Sequence, residues 1–282
     1  MTETTPLAFY PTHRPDSKRV RRNWQRAAAS MAAEEGLLRR LDQALLERLE
    51  DIRLQPQRVL ELGGRTGALA TALQKKWPKA EIVSLSLAGV RRRNNGWRLP
   101  WQRQPLLLEG EACRLPFARN QFDLVISSMA LHWSGDLPSS LREMRRVLAP
   151  DRLLLFTVAG SATLAELFHV LALQEGKERT LLLPSLSGLG DLLTSGGYIM
   201  PVVDREQAVI PVPDLRTLWQ QLRMLGSAAP TAAPENGLRG KGHLKRLEQT
   251  YRQECALPDG QLACTVEVLF GHAWKKDPGA KG

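Results

Sequence analysis

Cysteines, aromatics and long apolar runs are all scarce in this chain. The three cysteines, Cys113, Cys255 and Cys264, have neither pair spacing nor metal spacing. Neither a disulfide framework nor a cysteine-based zinc site is therefore predicted. The five histidines (His13, His132, His169, His243 and His272) are scattered and form no zinc motif. No apolar run approaches the roughly 20 residues that a membrane span needs. Residues 1–26 lack the apolar core of a signal peptide. Taken together, these absences predict a cytoplasmic protein with free thiols, no membrane span and no bound metal.

Acidic residues are also in deficit. Against 39 Lys and Arg there are 29 Asp and Glu, a net charge of +10 over 282 residues. Such a field favours an acidic partner. The positive charge is clustered. Arg14, Lys18, Arg19, Arg21, Arg22 and Arg26 form one group; Arg91, Arg92, Arg93, Arg98 and Arg103 form another, interleaved with Trp97 and Trp101. Taken singly, each arginine reads as solvated surface; two groups this dense suit a patch for an acidic partner. No recognisable nucleic-acid-binding motif accompanies them, so no nucleic-acid partner is predicted.

The remaining composition, 43% hydrophobic and 24% charged, is that of a globular protein. Short apolar runs alternate with helical patterns through the first half. Strands are predicted over 58–62, 81–85, 106–109, 122–127 and 153–158. Helices are predicted from residue 16 onward, around Leu37–Leu49, and over 66–76, 88–95 and 137–148. This alternation indicates a mostly parallel sheet covered on both faces. Pro150-Asp-Arg152 reads as a surface turn ahead of the fifth strand.

After Val158 the rhythm changes. Helices are predicted over 162–174, 186–195, 214–225 and 243–254. A broken strand bounded by prolines is predicted over 202–212, a mobile loop over 227–242, and a final strand over 263–274.

Chemistry concentrates in a few ordered segments. Arg58-Val-Leu-Glu-Leu-Gly-Gly-Arg-Thr-Gly-Ala-Leu69 reads as a strand, a glycine turn and a helix start. In a doubly wound protein that arrangement brings backbone N–H groups close to an anionic ligand. Ser86 follows the second strand. Gly110-Glu-Ala-Cys-Arg-Leu-Pro-Phe117 follows the third, and Ser127-Ser-Met-Ala-Leu-His-Trp133 ends the fourth.

In this order the segments resemble S-adenosylmethionine (SAM) methyltransferases. Leu131–Leu148, Phe156-Thr-Val158 and Thr265–Trp274 narrow the resemblance to the malonyl-acyl-carrier-protein O-methyltransferases of biotin synthesis. The match runs through residues 17–275. The resemblance implies a Rossmann-like, doubly wound, mostly parallel seven-stranded α/β sheet with an α-helical lid insertion. It divides the chain into a tail (1–15), a SAM-binding core (16–158), a lid with completing strands (159–275) and a second tail (276–282).

It also implies roles. Glu61 would orient the turn and the ligand's amino group, with Gly63, Gly64 and Gly67 admitting the ligand. Ser86 would face the ribose, Glu111 and Ala112 the adenine, and Ser128 the sulfonium. His132 and Trp133 are candidates on the substrate side. Local hydrogen bonding by His132 and packing by Trp133 are the plain structural alternative. The implied partner is an acidic carrier protein bearing a malonyl group.

Four places depart from the family pattern, one of them the surface turn Pro150-Asp-Arg152, where Pro-Gly-Gly is usual. Arg65 stands where the middle glycine of the turn is usual, Ser86 where an acid is usual, and Met31 where tyrosine is usual. Arg65 and Ser86 motivate a second reading, a non-catalytic binding or assembly protein. A third is a SAM-dependent enzyme acting on another target, such as a protein arginine or a quinone precursor.

Overall fold

The computed structural model describes residues 17–27, 35–64, 66–88, 103–134, 136–176, 183–224 and 241–276. Met31, Arg65, Arg91–Arg93, Trp97, Arg98 and Trp101 lie outside them. So do nearly all of the helix predicted over 88–95 and of the loop predicted over 227–242.

Leucine- and valine-rich segments supply the sheet. Its strands are β1 (Arg58–Leu62), β2 (Glu81–Ser86), β3 (Leu106–Glu109), β4 (Phe122–Ser127), β5 (Leu148–Ala159), β6 (Tyr198–Val212) and β7 (Leu262–Lys275). Their order is β3-β2-β1-β4-β5-β7-β6. Neighbours among β1 to β5 pair in parallel, and β7 runs antiparallel to both β5 and β6. This is the doubly wound, seven-stranded sheet expected. The strand order reverses between β1 and β4, which opens a crevice beyond their carboxyl ends.

Side-chain alternation along the strands fills two layers. Val59, Ile82, Leu153 and Leu155 point to one face. There they meet α2 (Glu35–Arg48) and α3 (Ala68–Lys76). Leu41, Leu45 and Leu49 recur on the buried side of α2 and its end, as their spacing predicts. Leu60, Leu62, Val83, Leu85 and Leu154 point to the other face. That face is covered by α4 (Leu137–Val147) and α6 (Leu186–Ser195). Asp136 caps α4 by accepting from the Ser139 N–H at 2.9 Å.

A second, smaller core lies beyond the parallel sheet. The first half of β7 pairs with β6 alone. Over it pack α5 (Ala165–Glu175), α7 (Leu215–Met224) and α8 (Lys241–Cys255). Leu167, Val170, Leu218, Leu247 and Tyr251 fill the space between them. Of the helices after Val158, α6 therefore packs with the sheet, and the other three form a layer of their own.

Two strands start several residues earlier than expected, each at a proline, while other strand ends shift by one residue. β6 starts at Tyr198 instead of near 202, because Pro201 falls in a register shift between Ile199 and Val202. A bulge on an edge strand tolerates the missing N–H. β5 starts at Leu148, with Pro150-Asp-Arg152 forming a bulge inside it. The ladder steps from Phe122↔Leu148 to Leu124↔Leu153, and Asp151 has φ +53°. Arg152 closes the bulge on Asp123 at 3.0 Å. No helix among the described residues is long and apolar enough to cross a membrane.

Candidate active site

The crevice at the switch between β1 and β4 holds an open cleft. Its floor is the end of β1, where Ser127 donates to the Leu62 carbonyl at 3.0 Å and ties β4 to β1. Gly63 follows with φ +94°, its N–H bonded to the Leu85 carbonyl at 2.8 Å. Any Cβ here would collide with that of Ala130, the opposite wall. Glycine is required for both reasons.

Glu61 lies beneath the turn rather than in the cleft wall. Its carboxylate is 1% exposed and accepts from the Ser84 hydroxyl. Burial raises its pKa to about 8, against the lowering effect of that hydrogen bond. Gly64 rests directly on this pair, and a side chain there would strike both Glu61 and Ser84. Gly67, with φ +69°, leads into α3. Glu61, Gly64 and Gly67 thus shape the turn, while Gly63 reaches the cleft.

Ser86 ends β2 and is 1% exposed, and its hydroxyl has no hydrogen-bond partner. Ser128, after β4, likewise has a buried hydroxyl without a partner. A buried unsatisfied hydroxyl costs about 1–3 kcal/mol; neither serine is among the residues that line the cleft, although Ser86 stands between Leu85 and Leu87, which do.

Glu111 and Ala112 line the cleft next to Gly110. Their loop is clamped by α4, which no motif had indicated. Arg146 donates to the carbonyls of Phe117 at 2.7 Å and Leu115 at 2.9 Å. Glu143 accepts from the Leu115 N–H at 2.8 Å and pairs with Arg146 at 2.7 Å. The hydrogen bond from Arg146 holds the Glu143 carboxyl below its ordinary pKa. The only sequence signal was a Glu-x-x-Arg spacing on a helix, which is common. Cys113 lies outside the wall, its thiol pKa raised by burial and then by Glu111.

After β4 a single 3-10 turn, Leu131–Trp133, carries the His-Trp pair. Trp133 lines the cleft; His132 does not, its ring centroid standing 4.7 Å from that of Trp133. The opposite side is closed by α1 (Ser17–Ala27), whose Trp24 also lines the cleft. Sequence reasoning missed Trp24, because only long-range packing brings α1 here.

The arrangement fits the SAM that the resemblance implies. Apolar side chains, the Gly63 and Gly110 backbone and the Glu111 side chain line one cleft, and the unpartnered hydroxyls of Ser86 and Ser128 lie at the ends of two strands that border it. Among the described residues no group of three His, Cys, Asp or Glu side chains is placed to hold a metal ion.

Comparison with known proteins agrees with this geometry. A family model described as a methyltransferase domain matches residues 33–226. Malonyl-[acyl-carrier protein] O-methyltransferase of Halorhodospira halophila is 34% identical over 92% of this chain and 88% of its own. The protein of the same name from Gallionella capsiferriformans is 35% identical over 93% and 92%.

The chain belongs to the malonyl-[acyl-carrier protein] O-methyltransferase family.

The fold of this methyltransferase recurs at lower identity. The YcgJ protein of Bacillus subtilis aligns with a TM-score of 0.53 at 14% identity, covering 83% of this chain and 99% of its own. Phosphoethanolamine N-methyltransferase 2 of Haemonchus contortus, solved with SAM, aligns at 0.50 and 18%, covering 84% and 52%.

Proposed function

We propose that this enzyme transfers the methyl group of SAM to the free carboxylate of a malonyl group on an acyl carrier protein, an early step of biotin synthesis. The near end-to-end match to relatives named for that activity carries this reading.

The chemistry of the cleft supports it. A malonyl carboxylate is ionised at neutral pH, so the acceptor needs no general base. Glu111 is the one titratable side chain in the described cleft wall. SAM, when bound, supplies a methyl group on a positively charged sulfur that leaves without a proton. The protein's task is then alignment and exclusion of water. Leu62, Leu85, Leu87, Trp24 and Trp133 provide the apolar wall. Ser86 and Glu111 serve the adenosine, and Ser128 stands on the reacting side. The layer of α5, α7 and α8 is the lid over the acyl arm.

The net charge of +10 suits an acidic carrier, and the three free cysteines suit a cytoplasmic setting. The test is methyl transfer from labelled SAM to malonyl, acetyl and unloaded carrier protein. Label is expected on the malonyl form alone, as a base-labile ester, with KM rising as salt is added. SAM binding without transfer to any malonyl thioester would overturn the acceptor.

A further inference from the structure

Helix α1 belongs to the cleft wall, yet nothing in the glycine turn or the strand-end motifs assigns it a role. Its apolar face is narrow. Val20 and Trp24, one turn apart, are 0% and 4% exposed. They pack with Ala130 and, at its edge, Leu87, Ala88 and Trp133. Trp24 and Trp133 both line the cleft.

The Arg21 side chain ties this helix to the sheet ends beside the cleft. Arg21 donates from Nε to the Leu87 carbonyl at 3.2 Å. The same guanidinium pairs with Glu109 at 3.4 Å. Leu87 is the first residue beyond β2 and Glu109 the last of β3. Glu109 is also the register partner of Ser86. One arginine thus bridges the two strand ends that flank the orphaned Ser86 hydroxyl, and it does so one residue along α1 from Val20.

We propose that Trp24 is a positioning residue for the cofactor, and that Arg21 and Glu109 form the catch that holds it in the cleft wall. The inference rests on the cofactor reading above. Both partners of the pair are about half exposed (49% and 54%). Such a pair is weak, which suits a contact that must release for the cofactor to enter and leave. An exposed pair worth 0.2–1 kcal/mol corresponds to about a 1.4- to 5-fold change in an equilibrium.

The test uses S-adenosylhomocysteine as the probe on the full chain, with the unliganded melting temperature as a folding control. Arg21→Glu and Glu109→Arg should each speed its dissociation about two- to five-fold at low salt, with little change in unliganded Tm. The double exchange should dissociate more slowly than either single variant, short of the parent because the bond to the Leu87 carbonyl stays lost, and this recovery in the off-rate at unchanged unliganded Tm is what a merely structural role would not produce. Trp24→Phe should keep affinity within about threefold, and Trp24→Ala should lose about tenfold or more. Single reversals that dissociate at the parent rate, or a double exchange that fails to recover, would overturn the catch. Parent-like affinity in Trp24→Ala would overturn the positioning role. If Trp24→Ala does not fold, the charge exchange and Trp24→Phe decide the matter. Failure of the parent protein to bind the probe would instead remove the cofactor reading.

Discussion

The Ser84 hydroxyl donates to the Glu61 carboxylate immediately beneath Gly64. Two adjacent strands thereby hold an acid under the glycine turn, where burial raises its pKa from 4.5 to about 8. Between these values the unfolded chain gives up the proton and the folded chain keeps it. This group's favourable share of stability is therefore complete below pH 4.5 and is lost as pH rises through about 8. The decline is at most about 1.4 kcal/mol per pH unit. Glu61→Gln should flatten it in urea melts run from pH 5 to 9. An identical decline in both proteins would mean that Glu61 is ionised in the native state throughout.

Gly63 and Ala130 face each other across the cleft floor. Gly63→Ala adds a left-handed strain of about 1–2 kcal/mol and an overpacking cost of about 1–3 kcal/mol. Ala130→Gly in the same chain should relieve the second cost and leave the first. Denaturant melts of the two single variants and the double variant will show whether the costs separate. Additive losses would contradict the contact.

Ser86 separates ligand binding from stability. Its hydroxyl has no partner to lose, so Ser86→Ala should leave the unliganded protein at least as stable as its parent and relieve up to about 1–3 kcal/mol. Affinity for S-adenosylhomocysteine should fall about fivefold, the equivalent of one neutral hydrogen bond. Ser86→Asp should tighten binding while lowering unliganded stability, since it buries a carboxylate. Calorimetric titration of each variant supplies the check; unchanged affinity in Ser86→Ala would remove Ser86 from the site.

Arg146 holds the Glu111 loop at a distance. Arg146→Ala strands two carbonyls and the Glu143 carboxylate, a loss of about 1–3 kcal/mol. Glu143 has a lowered pKa, so its contribution is present above its unfolded pKa and lost as pH falls through the folded one. The variant should accordingly lose less stability on acidification than the parent does. Its KM for SAM should rise more than its kcat falls, because the loop positions the ligand and takes no part in methyl transfer. A kcat effect larger than the KM effect would contradict that role.

Much of the core was legible in advance because its signals are local. Leu41, Leu45 and Leu49 announce α2 by spacing alone. The apolar runs of β1, β2 and β4 stand between recognisable turns, and a parallel sheet needs no finer pattern. The prolines misled at 150 and 201 because bulges absorb them, and a bulge depends on the partner strand. Glu61 was readable as an acid ending a strand, but its burial under Gly64 was not.

The sequence by itself determined the doubly wound sheet, its glycine turn and the family to which the chain belongs, since each is written in contiguous residues. Only the tertiary structure decided which residues share the cleft. Trp24 lies 109 positions before Trp133 in the chain, and no periodicity relates them. Packing of α1 across the ends of β2 and β3 joins them, through the apolar contact of Val20 and the grip of Arg21 on Leu87 and Glu109.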